Sequence, residues 1–449
     1  MNTENTLRVD FNNVSGKIKP MNAVNNGPYG DEVRKTGNFV YYKALEIPYA
    51  RLHDAAFYTP YGGEWTVDVH RIFRDFSADV NDENSYDFLP TDGYLKKIKD
   101  AGTEVFYRLG ASIEHYKKCG TFPPADYEKW AKICEHIIMH YNQGWANGFE
   151  MGIEYWEIWN EPDCVNPDGS NPCWQGTKEQ FFDFYSVVAK YLKNKFPKLK
   201  IGGPAICYYD SGFAKEFLPF AKENGVPIDF FSYHCYAYTV DYIGEIIVKF
   251  RKLLDENGYR DTETILNEWN YVLGWTGDAF KKTVDTVMGL KGSSFVLGAM
   301  CVGQATPLDM LMYYDARPCK HNGIFGLSGD DLLKTYYVFK AFSEVRKLGG
   351  YVKADFDGEK IYSVSATNGN EHAVLLTYYD HDEKEKIKSL KINVKNACKN
   401  GAVVVEYYLL DKDNDLKLKR EEKFTSNDFS VYLDAENFST YYLKIKPLS

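Results

Sequence analysis

The periodicity of hydrophobic residues along the chain changes near Leu348. Before this point, short runs rich in β-branched and aromatic residues alternate with longer segments that carry apolar residues at i, i+3 and i+4. Alternating strands and amphipathic helices are typical of repeated β/α units around a parallel sheet. Eight strands are predicted, at residues 21–24, 47–52, 104–108, 155–159, 200–203, 228–233, 264–267 and 309–314.

The segments between these strands are predicted to be helices. Eight strands with intervening helices favour a (β/α)8 TIM barrel over an open, doubly wound sheet. No G-x-G-x-x-G sequence follows the first strand, which argues against dinucleotide binding. We therefore predict an α/β barrel over residues 19–348, with helices at 91–101, 126–141, 178–196, 211–224, 243–258, 280–300 and 332–348.

Beyond Leu348 the pattern changes to short runs in which apolar and polar residues alternate. Loops rich in turn-forming residues separate these runs, for example at 367–370 and 411–415, as in an all-β sandwich. The run 6–11 alternates in the same way, so segment 1–18 is predicted to return to the sandwich as an extra strand. The predicted accessory domain covers 349–449, with strands at 360–366, 372–379, 389–394, 402–410, 429–433 and 440–445.

The charge and composition of the chain exclude several classes of binding partner. The formal net charge is -10 and no long run of Lys or Arg is present, which argues against a nucleic-acid partner. No stretch approaches the ~18 apolar residues of a membrane span, and the N-terminus lacks the pattern of a secretory signal, so a soluble, cytoplasmic protein is expected. The nine cysteines form no C-x-x-C pair, so neither a metal site nor a disulfide framework is expected. The 36 tyrosines suit surfaces that meet sugars.

The strongest chemical signal is the segment YWEIWNEPD at 155–163. Read as a strand, it ends in Asn160-Glu161-Pro162, where Pro162 stops the strand and leaves the two polar side chains at its carboxyl edge. In a barrel that edge is the catalytic face. Glu268 ends another strand about three β/α units later, so both carboxylates are expected at the same mouth. Glycosidic cleavage needs one carboxylic acid and one carboxylate.

These motifs resemble those of a large clan of retaining glycosidases. The strings EIWNEPD at 157–163 and ILNEW at 265–269, with the barrel-then-sandwich order, most resemble glycoside hydrolase family 39, which includes β-xylosidases and α-L-iduronidases. The resemblance implies that Glu161 is the general acid/base and that Glu268 is the nucleophile. It also implies a glycoside or oligosaccharide substrate and no cofactor.

The resemblance places further residues around the sugar. Arg51 and His53 end the second strand, where an Arg is expected to hydrogen-bond the nucleophile and a His to reach a sugar hydroxyl. Asn160 is expected to bond the sugar 2-OH. His234 and Tyr236 match a His-x-Tyr pair that lines the -1 subsite and touches the nucleophile.

Further candidates rest on position alone. Tyr314 and Asp315 follow the eighth strand and are expected to close one side of the pocket. Trp269, Trp159 and Trp275 are candidate stacking platforms, although Trp159 and Trp269 fit equally well into the barrel wall.

The sequence therefore predicts a retaining, β-xylosidase-like glycosidase that acts on chain ends or short oligosaccharides. An α-L-arabinofuranosidase or another glycosidase of the clan is an alternative, because the clan shares both glutamates. A non-catalytic carbohydrate-binding barrel is an alternative of another class. The sequence leaves open the sugar, exo or endo action, and whether the protein is a homo-oligomer.

Overall fold

Eight parallel strands close into a barrel in the computed structural model, which describes residues 5–33, 36–53, 67–111, 120–319, 321–398 and 401–448. The last barrel strand pairs with the first, Met312 lying opposite Ala23. All eight predicted strands are confirmed. In chain order they are β1 (Ala23–Asn25), β2 (Tyr49–Arg51), β3 (Glu104–Leu109), β4 (Tyr155–Ile158), β5 (Lys200–Ile206), β6 (Phe230–Ala237), β7 (Glu263–Tyr271) and β8 (Met310–Tyr313).

Helices surround the barrel and bury their apolar faces against it. The most deeply buried is α9, because residues all round its axis are inaccessible to solvent. Among the described residues the helices are α1 (Phe39–Ala44), α2 (Val69–Ile72), α3 (Leu89–Asp100), α4 (Tyr127–Gln143), α5 (Lys178–Lys195), α6 (Phe213–Glu223), α7 (Val240–Glu256), α8 (Gly277–Val287), α9 (Leu290–Ala305) and α10 (Lys334–Leu348).

The prediction of one helix over 280–300 is wrong, because the chain bends by 77° between α8 and α9. Gly292 permits this bend: a Cβ there would lie 2.5 Å from the carbonyl oxygen of Thr286. The continuous apolar run hides the break in the sequence. In the part of the chain that the structure describes, no single helix is long and apolar enough to cross a membrane, and only the bent pair α8–α9 reaches that length and composition when taken together.

The barrel interior is layered. Its amino-terminal half is filled by an apolar cluster, whereas a buried ion pair between Arg51 and Glu157 lies nearer the carboxyl ends of the strands. The charged pair inside the barrel therefore lies toward the carboxyl-terminal face, where the loops that follow the strands meet. The apolar cluster consists of Ala23, Phe106, Tyr155, Phe230, Ile265, Met310 and Met312.

Two sheets that pack around a separate apolar core form the sandwich. One is a four-stranded sheet in which Asn5–Asp10 runs parallel to Ile387–Lys395, with Asp355–Phe356 and Phe429–Glu436 at its edges. The sequence pattern missed Lys417–Phe424, because six of the eight residues of this edge strand are charged, as in edge strands that resist aggregation. The second sheet has the order Lys417–Phe424, Val403–Leu410, Thr440–Pro447, His372–Tyr378, Ile361–Thr367, Gly350–Val352 and Val14–Lys17.

The sandwich docks on the barrel through α9 and the loop after β6. The Ser294 and Thr377 hydroxyls lie 2.7 Å apart in a buried contact, and the Tyr379 hydroxyl donates to the Tyr238 carbonyl at 2.7 Å. These buried polar contacts fix the orientation of the second sheet against the barrel.

Candidate active site

A cavity of about 540 Å³ opens at the carboxyl end of the barrel. Both predicted catalytic carboxylates, Glu161 and Glu268, lie in its wall, and loops that follow several different strands complete it. The lining residues are His53, Asn160, Glu161, Cys164, Cys207, Tyr208, Tyr209, Asp210, Ser211, His234, Cys235, Tyr236, Tyr242, Ile246, Glu268, Trp275, Tyr314 and His321.

The backbone after β4 turns sharply to bring Glu161 into the cavity. Trp159 and Glu161 both have positive φ, 74° and 48°, which breaks the alternation of the strand. Trp159 therefore faces outward, where its indole N–H donates to the Cys173 carbonyl at 2.8 Å. The Glu161 amide donates to the carbonyl of Ala205 at the end of β5, at 2.9 Å. This tie holds the Glu161 turn against the neighbouring strand.

The Glu161 carboxylate is partly open to solvent, with 17% of its side chain exposed. His234 Nδ1 lies 2.8 Å from Glu161 Oε1. The Cys173 thiol donates weakly to Glu161 Oε2 at 3.9 Å. One face of the carboxylate is thus oriented by an imidazole while the other meets a thiol.

Glu268 is held by donors from β6 and from the carboxyl end of β2. The Tyr236 hydroxyl donates to Oε1 at 2.6 Å, while His53 Nε2 and Arg51 Nη1 lie 3.0 and 3.3 Å from Oε2. Burial alone would raise the pKa of this carboxyl, but the positive charges of His234, His53 and Arg51 outweigh it and hold the pKa well below its usual range. Glu268 is therefore an ionised carboxylate at neutral pH.

His234 lies between the two carboxylates. Its Nε2 is 3.6 Å from Glu268 Oε2, while its Nδ1 meets Glu161. One ligand atom from each of the three residues can be chosen so that all lie within 4.8 Å of one another. The two carboxylates therefore approach closely across the cavity floor.

An irregularity in β7 decides which side chains face the site. Leu266 pairs with Tyr233 and Glu268 with His234, so the pairing skips Asn267. Asn267 and Glu268 consequently both point inward. Because of the same shift in pairing, Trp269 lies on the other side of the strand and is buried. A strict alternation of inward and outward side chains does not predict this shift.

Below the cavity floor, Arg51 organises a fully buried network. It donates to Glu157 Oε2 at 2.7 Å and to Asn160 Oδ1 at 2.5 Å. The other Glu157 oxygen accepts from Ser232 Oγ at 2.6 Å and from Asn267 Nδ2 at 2.5 Å. Sequence reasoning missed Glu157, although a carboxylate inside a predicted barrel strand was a usable signal.

The same network fixes the orientation of the Asn160 amide. Because Asn160 Oδ1 accepts from Arg51, the amide nitrogen must face the cavity. This Nδ2 is buried and has no hydrogen-bond partner among the residues that the structure describes. It is therefore a preorganised donor for a ligand hydroxyl.

Replacing Arg51 with methionine should lower the free energy of unfolding by about 3–5 kcal/mol, because Glu157 is left charged, buried and unpaired. Adding Glu157→Gln, which keeps the acceptor for Ser232 and Asn267 but removes the charge, should restore most of that loss. Urea unfolding of the single and double variants measures both values. A double variant less stable than Arg51→Met would show that the unpaired charge of Glu157 is not the cause of the loss.

Two predicted substrate ligands lie outside the cavity wall. Trp269 is fully buried, with its ring centroid 5.4 Å from Tyr313 and 6.2 Å from Phe295, so its placement as a stacking platform is wrong. Trp159 is also buried outside the barrel strands, 5.2 Å from the Trp174 ring, so for both indoles the alternative placement in the barrel wall is the correct one. These indoles fill the space between barrel and helices because the backbone irregularities turn them outward.

Asp315 is also misplaced as a substrate ligand. It is fully buried and accepts from Arg317 Nε at 2.6 Å, from Asn26 Nδ2 at 2.7 Å and from Asn322 Nδ2. Arg317 in turn donates to the Tyr314 hydroxyl at 2.9 Å. The carboxylate thus fixes the loop that presents Tyr314 to the cavity.

Sequence reasoning missed the rim formed by the loop after β5 and by α7. Tyr208, Asp210 and Tyr242 line the cavity there, opposite Trp275, which is 54% exposed and meets the Tyr236 ring edge-on at 4.9 Å. Tyrosine and aspartate directly after a barrel strand were the available signal, since such loops build the active sites of this fold.

Asp163 fastens the β5 loop to the Glu161 turn. Its carboxylate accepts from the amides of Cys207 at 2.8 Å and Tyr208 at 3.2 Å, and from the Ser211 hydroxyl at 2.8 Å. Burial raises the pKa of Asp163 to about 6. The two loops that flank Glu161 are therefore held as one unit.

The chain is similar in sequence to known proteins. The model of "Glycosyl hydrolases family 39" matches residues 6–264. A β-xylosidase of Geobacillus stearothermophilus is 33% identical over 146 residues, which cover 32% of this chain and 26% of that protein. A β-xylosidase of Caldicellulosiruptor saccharolyticus is 30% identical over 162 residues, which cover 34% and 31%. The match thus spans less than a third of either relative's length.

The fold as a whole is similar to that of solved structures. A glucosidase from Croceicoccus marinus superposes with a TM-score of 0.78 at 19% identity, and the superposition covers 100% of both chains. At this identity the likeness concerns the fold of barrel and sandwich together.

Proposed function

The chain belongs to glycosyl hydrolase family 39, and on that premise we propose that it is a retaining glycoside hydrolase, β-xylosidase-like, that works by double displacement. The observation that carries the proposal is the pair of carboxylates, with one oxygen from each within 4.8 Å. Retaining enzymes place the two carboxyl groups about 5–5.5 Å apart, whereas inverting enzymes need about 6.5–9.5 Å to admit a water molecule.

In the first step, the ionised Glu268 attacks the anomeric carbon while Glu161 gives its proton to the departing glycosidic oxygen. A glycosyl ester on Glu268 forms and the alcohol leaves. Tyr236 and Arg51 hold the attacking carboxylate in place. Burial and the charge of Glu268 keep the pKa of Tyr236 well above its ordinary value, so Tyr236 acts as a neutral donor.

In the second step, Glu161 takes a proton from water, and the water oxygen attacks the anomeric carbon. The ester bond to Glu268 breaks, the sugar leaves with its original configuration, and both carboxyl groups return to their starting states. Asn160 Nδ2 donates to the sugar 2-OH, a hydrogen bond that strengthens as positive charge develops at the anomeric carbon.

The walls favour a short, neutral sugar. A cavity of about 540 Å³ lies within the roughly 300–1,000 Å³ range of small-ligand sites, which fits one or two sugar units. Among the described residues that line it, no lysine or arginine is present to pair with a uronate carboxylate. This composition supports a xyloside over a uronide substrate.

A panel of aryl glycosides tests the proposal. We expect the highest kcat/KM with the β-xyloside, lower values with the α-L-arabinofuranoside, β-glucoside and β-galactoside, and the lowest with a uronide. NMR of the first product should show the β-anomer. Release of the inverted anomer would overturn the mechanism, and a uronide as the best substrate would overturn the specificity. Binding of xylose without hydrolysis of any glycoside would indicate a carbohydrate-binding barrel instead.

Replacing His53 with alanine should move the acidic limb of the kcat/KM profile to higher pH. The limb reports ionisation of Glu268 in the free enzyme. The positive charge of His53 and its hydrogen bond to Glu268 both lower the pKa of Glu268. Removing His53 therefore raises this pKa, so activity is lost at a higher pH as the solution is acidified. Initial rates from acidic to neutral pH give the limb. An unmoved limb would separate His53 from the charge state of Glu268.

A further inference from the structure

Three cysteines gather around the exposed face of Glu161, although they are scattered in the sequence. Cys173 Sγ lies 3.9 Å from Glu161 Oε2. One carboxylate oxygen of Glu161 and the sulfurs of Cys164 and Cys173 all lie within 4.8 Å of one another. The side chain of Cys207 is hydrogen-bonded to that of Cys164. Two thiols and a carboxylate therefore converge beside the cavity, and the Cys207 thiol lies next to that of Cys164.

The backbone holds each thiol in place. The Cys164 amide donates to the Glu161 carbonyl at 3.1 Å, and the Cys207 amide donates to the Asp163 carboxylate at 2.8 Å. The Cys173 amide donates to the side chain of Asn171 at 2.9 Å. The cluster is thus built by the loops after β4 and β5, which the fold ties together.

The donor set and its spacing suit a soft or borderline divalent ion. Zinc binds sulfur at about 2.3 Å and oxygen at about 2.0–2.2 Å in a tetrahedron, which places a sulfur and an oxygen ligand roughly 3.5 Å apart. The observed 3.9 Å between Cys173 Sγ and Glu161 Oε2 needs a contraction of only a few tenths of an ångström. Thiolates prefer such ions to magnesium or calcium.

We propose that Glu161, Cys164 and Cys173, with Cys207 as the fourth ligand, form a binding site for a thiophilic divalent ion such as Zn²⁺ or Cd²⁺. Each thiol that binds loses its proton to solvent, so three sulfur ligands release three protons, and Glu161 must also give up the proton that it carries as the general acid before its carboxylate binds the ion. The bound ion occupies the carboxylate that has to carry the proton for glycoside cleavage. The site is therefore inhibitory, and only this inhibition rests on the proposed function.

Titration of the reduced, chelator-treated protein with Cd²⁺ tests the site without any activity measurement. We expect a thiolate-to-cadmium absorption band in the ultraviolet that saturates at one ion per chain, with proton release recorded by a pH indicator. Cys164→Ser and Cys173→Ser should each weaken binding by more than about tenfold. Cys398→Ser is the matched control, because Cys398 lies in the sandwich and bonds the Gly401 carbonyl at 3.2 Å. A band that persists unchanged in both cavity variants would overturn the site, as would a band lost in the control.

Two further measurements keep the test decisive. Glu161→Gln leaves all three thiols in place and should also weaken Cd²⁺ binding, so the site can be tested even where a cysteine variant fails to fold. Zn²⁺ should inhibit hydrolysis of the aryl xyloside, a chelator should restore it, and Cys207→Ser should need at least several-fold more Zn²⁺ for the same fractional inhibition. Cd²⁺ binding without any glycoside hydrolysis would leave the metal site standing and remove the proposed function. Hydrolysis without Cd²⁺ binding would do the reverse.

Discussion

Replacing Glu268 with alanine is expected to lower kcat/KM by roughly 10⁴- to 10⁶-fold for every glycoside, whatever its leaving group. The carboxylate forms the bond to the anomeric carbon, so without it no glycosyl ester can form. Donors from Tyr236, His53 and Arg51 converge on its oxygens and cannot themselves replace the nucleophile. Steady-state rates with a nitrophenyl and a dinitrophenyl glycoside measure the loss.

Glu263→Gln is the matched control for this variant. Glu263 begins the same strand at the opposite end of the barrel, where it accepts from Lys200 at 2.6 Å and Tyr155 at 2.9 Å. Its replacement should change kcat/KM little. A Glu268→Ala variant that retained fast turnover of the dinitrophenyl glycoside would show that another group is the nucleophile.

Replacing Glu161 with alanine should have an effect that depends on the leaving group. Acid/base assistance contributes about 10²- to 10⁴-fold, so hydrolysis of natural xylosides should fall by that factor. A dinitrophenolate departs without a proton, so the first step with that substrate should be much less affected. The second step still lacks its base, so the glycosyl ester on Glu268 should accumulate and be seen as a mass increase of the protein.

Azide distinguishes the two carboxylates. It attacks without losing a proton, so it should accelerate turnover by the Glu161→Ala variant and give a β-glycosyl azide from a β-linked substrate. Cys173→Ser, which alters a neighbour of Glu161 but keeps the carboxylate, should show no such rescue. Azide rescue of Glu268→Ala with an inverted product would mean that the two roles are exchanged.

The sequence by itself determined the architecture and the positions of the two glutamates. Hydrophobic runs of strand length recur between amphipathic helices, and this local pattern is sufficient to locate all eight strands of the closed barrel. Glu161 follows the end of β4 by three residues, so it had to lie at the carboxyl edge of that strand. Glu268 lies near the carboxyl end of β7 for a comparable reason, because strand direction in a parallel barrel places both ends on one face.

Only the tertiary structure decided which side chains meet. The irregular pairing at Asn267 changes the side of β7 on which the following side chains lie, so Trp269 is buried outside the site and Asn267 belongs to the network beneath it. The positive φ of Trp159 has a similar effect after β4, because it turns the Trp159 side chain outward. Periodicity cannot reveal such steps, because they depend on how a strand pairs with its neighbours.

Contacts between distant segments also depend on the tertiary structure. Glu157 acquires its partner Arg51 only when the barrel closes, and the thiols of Cys164 and Cys207 come together only when two loops are fastened at Asp163. A buried charge must find an opposite charge or hydrogen-bond donors wherever the fold provides them. The sequence therefore states which residues carry chemistry, while the packing of strands and loops decides which of them share a site.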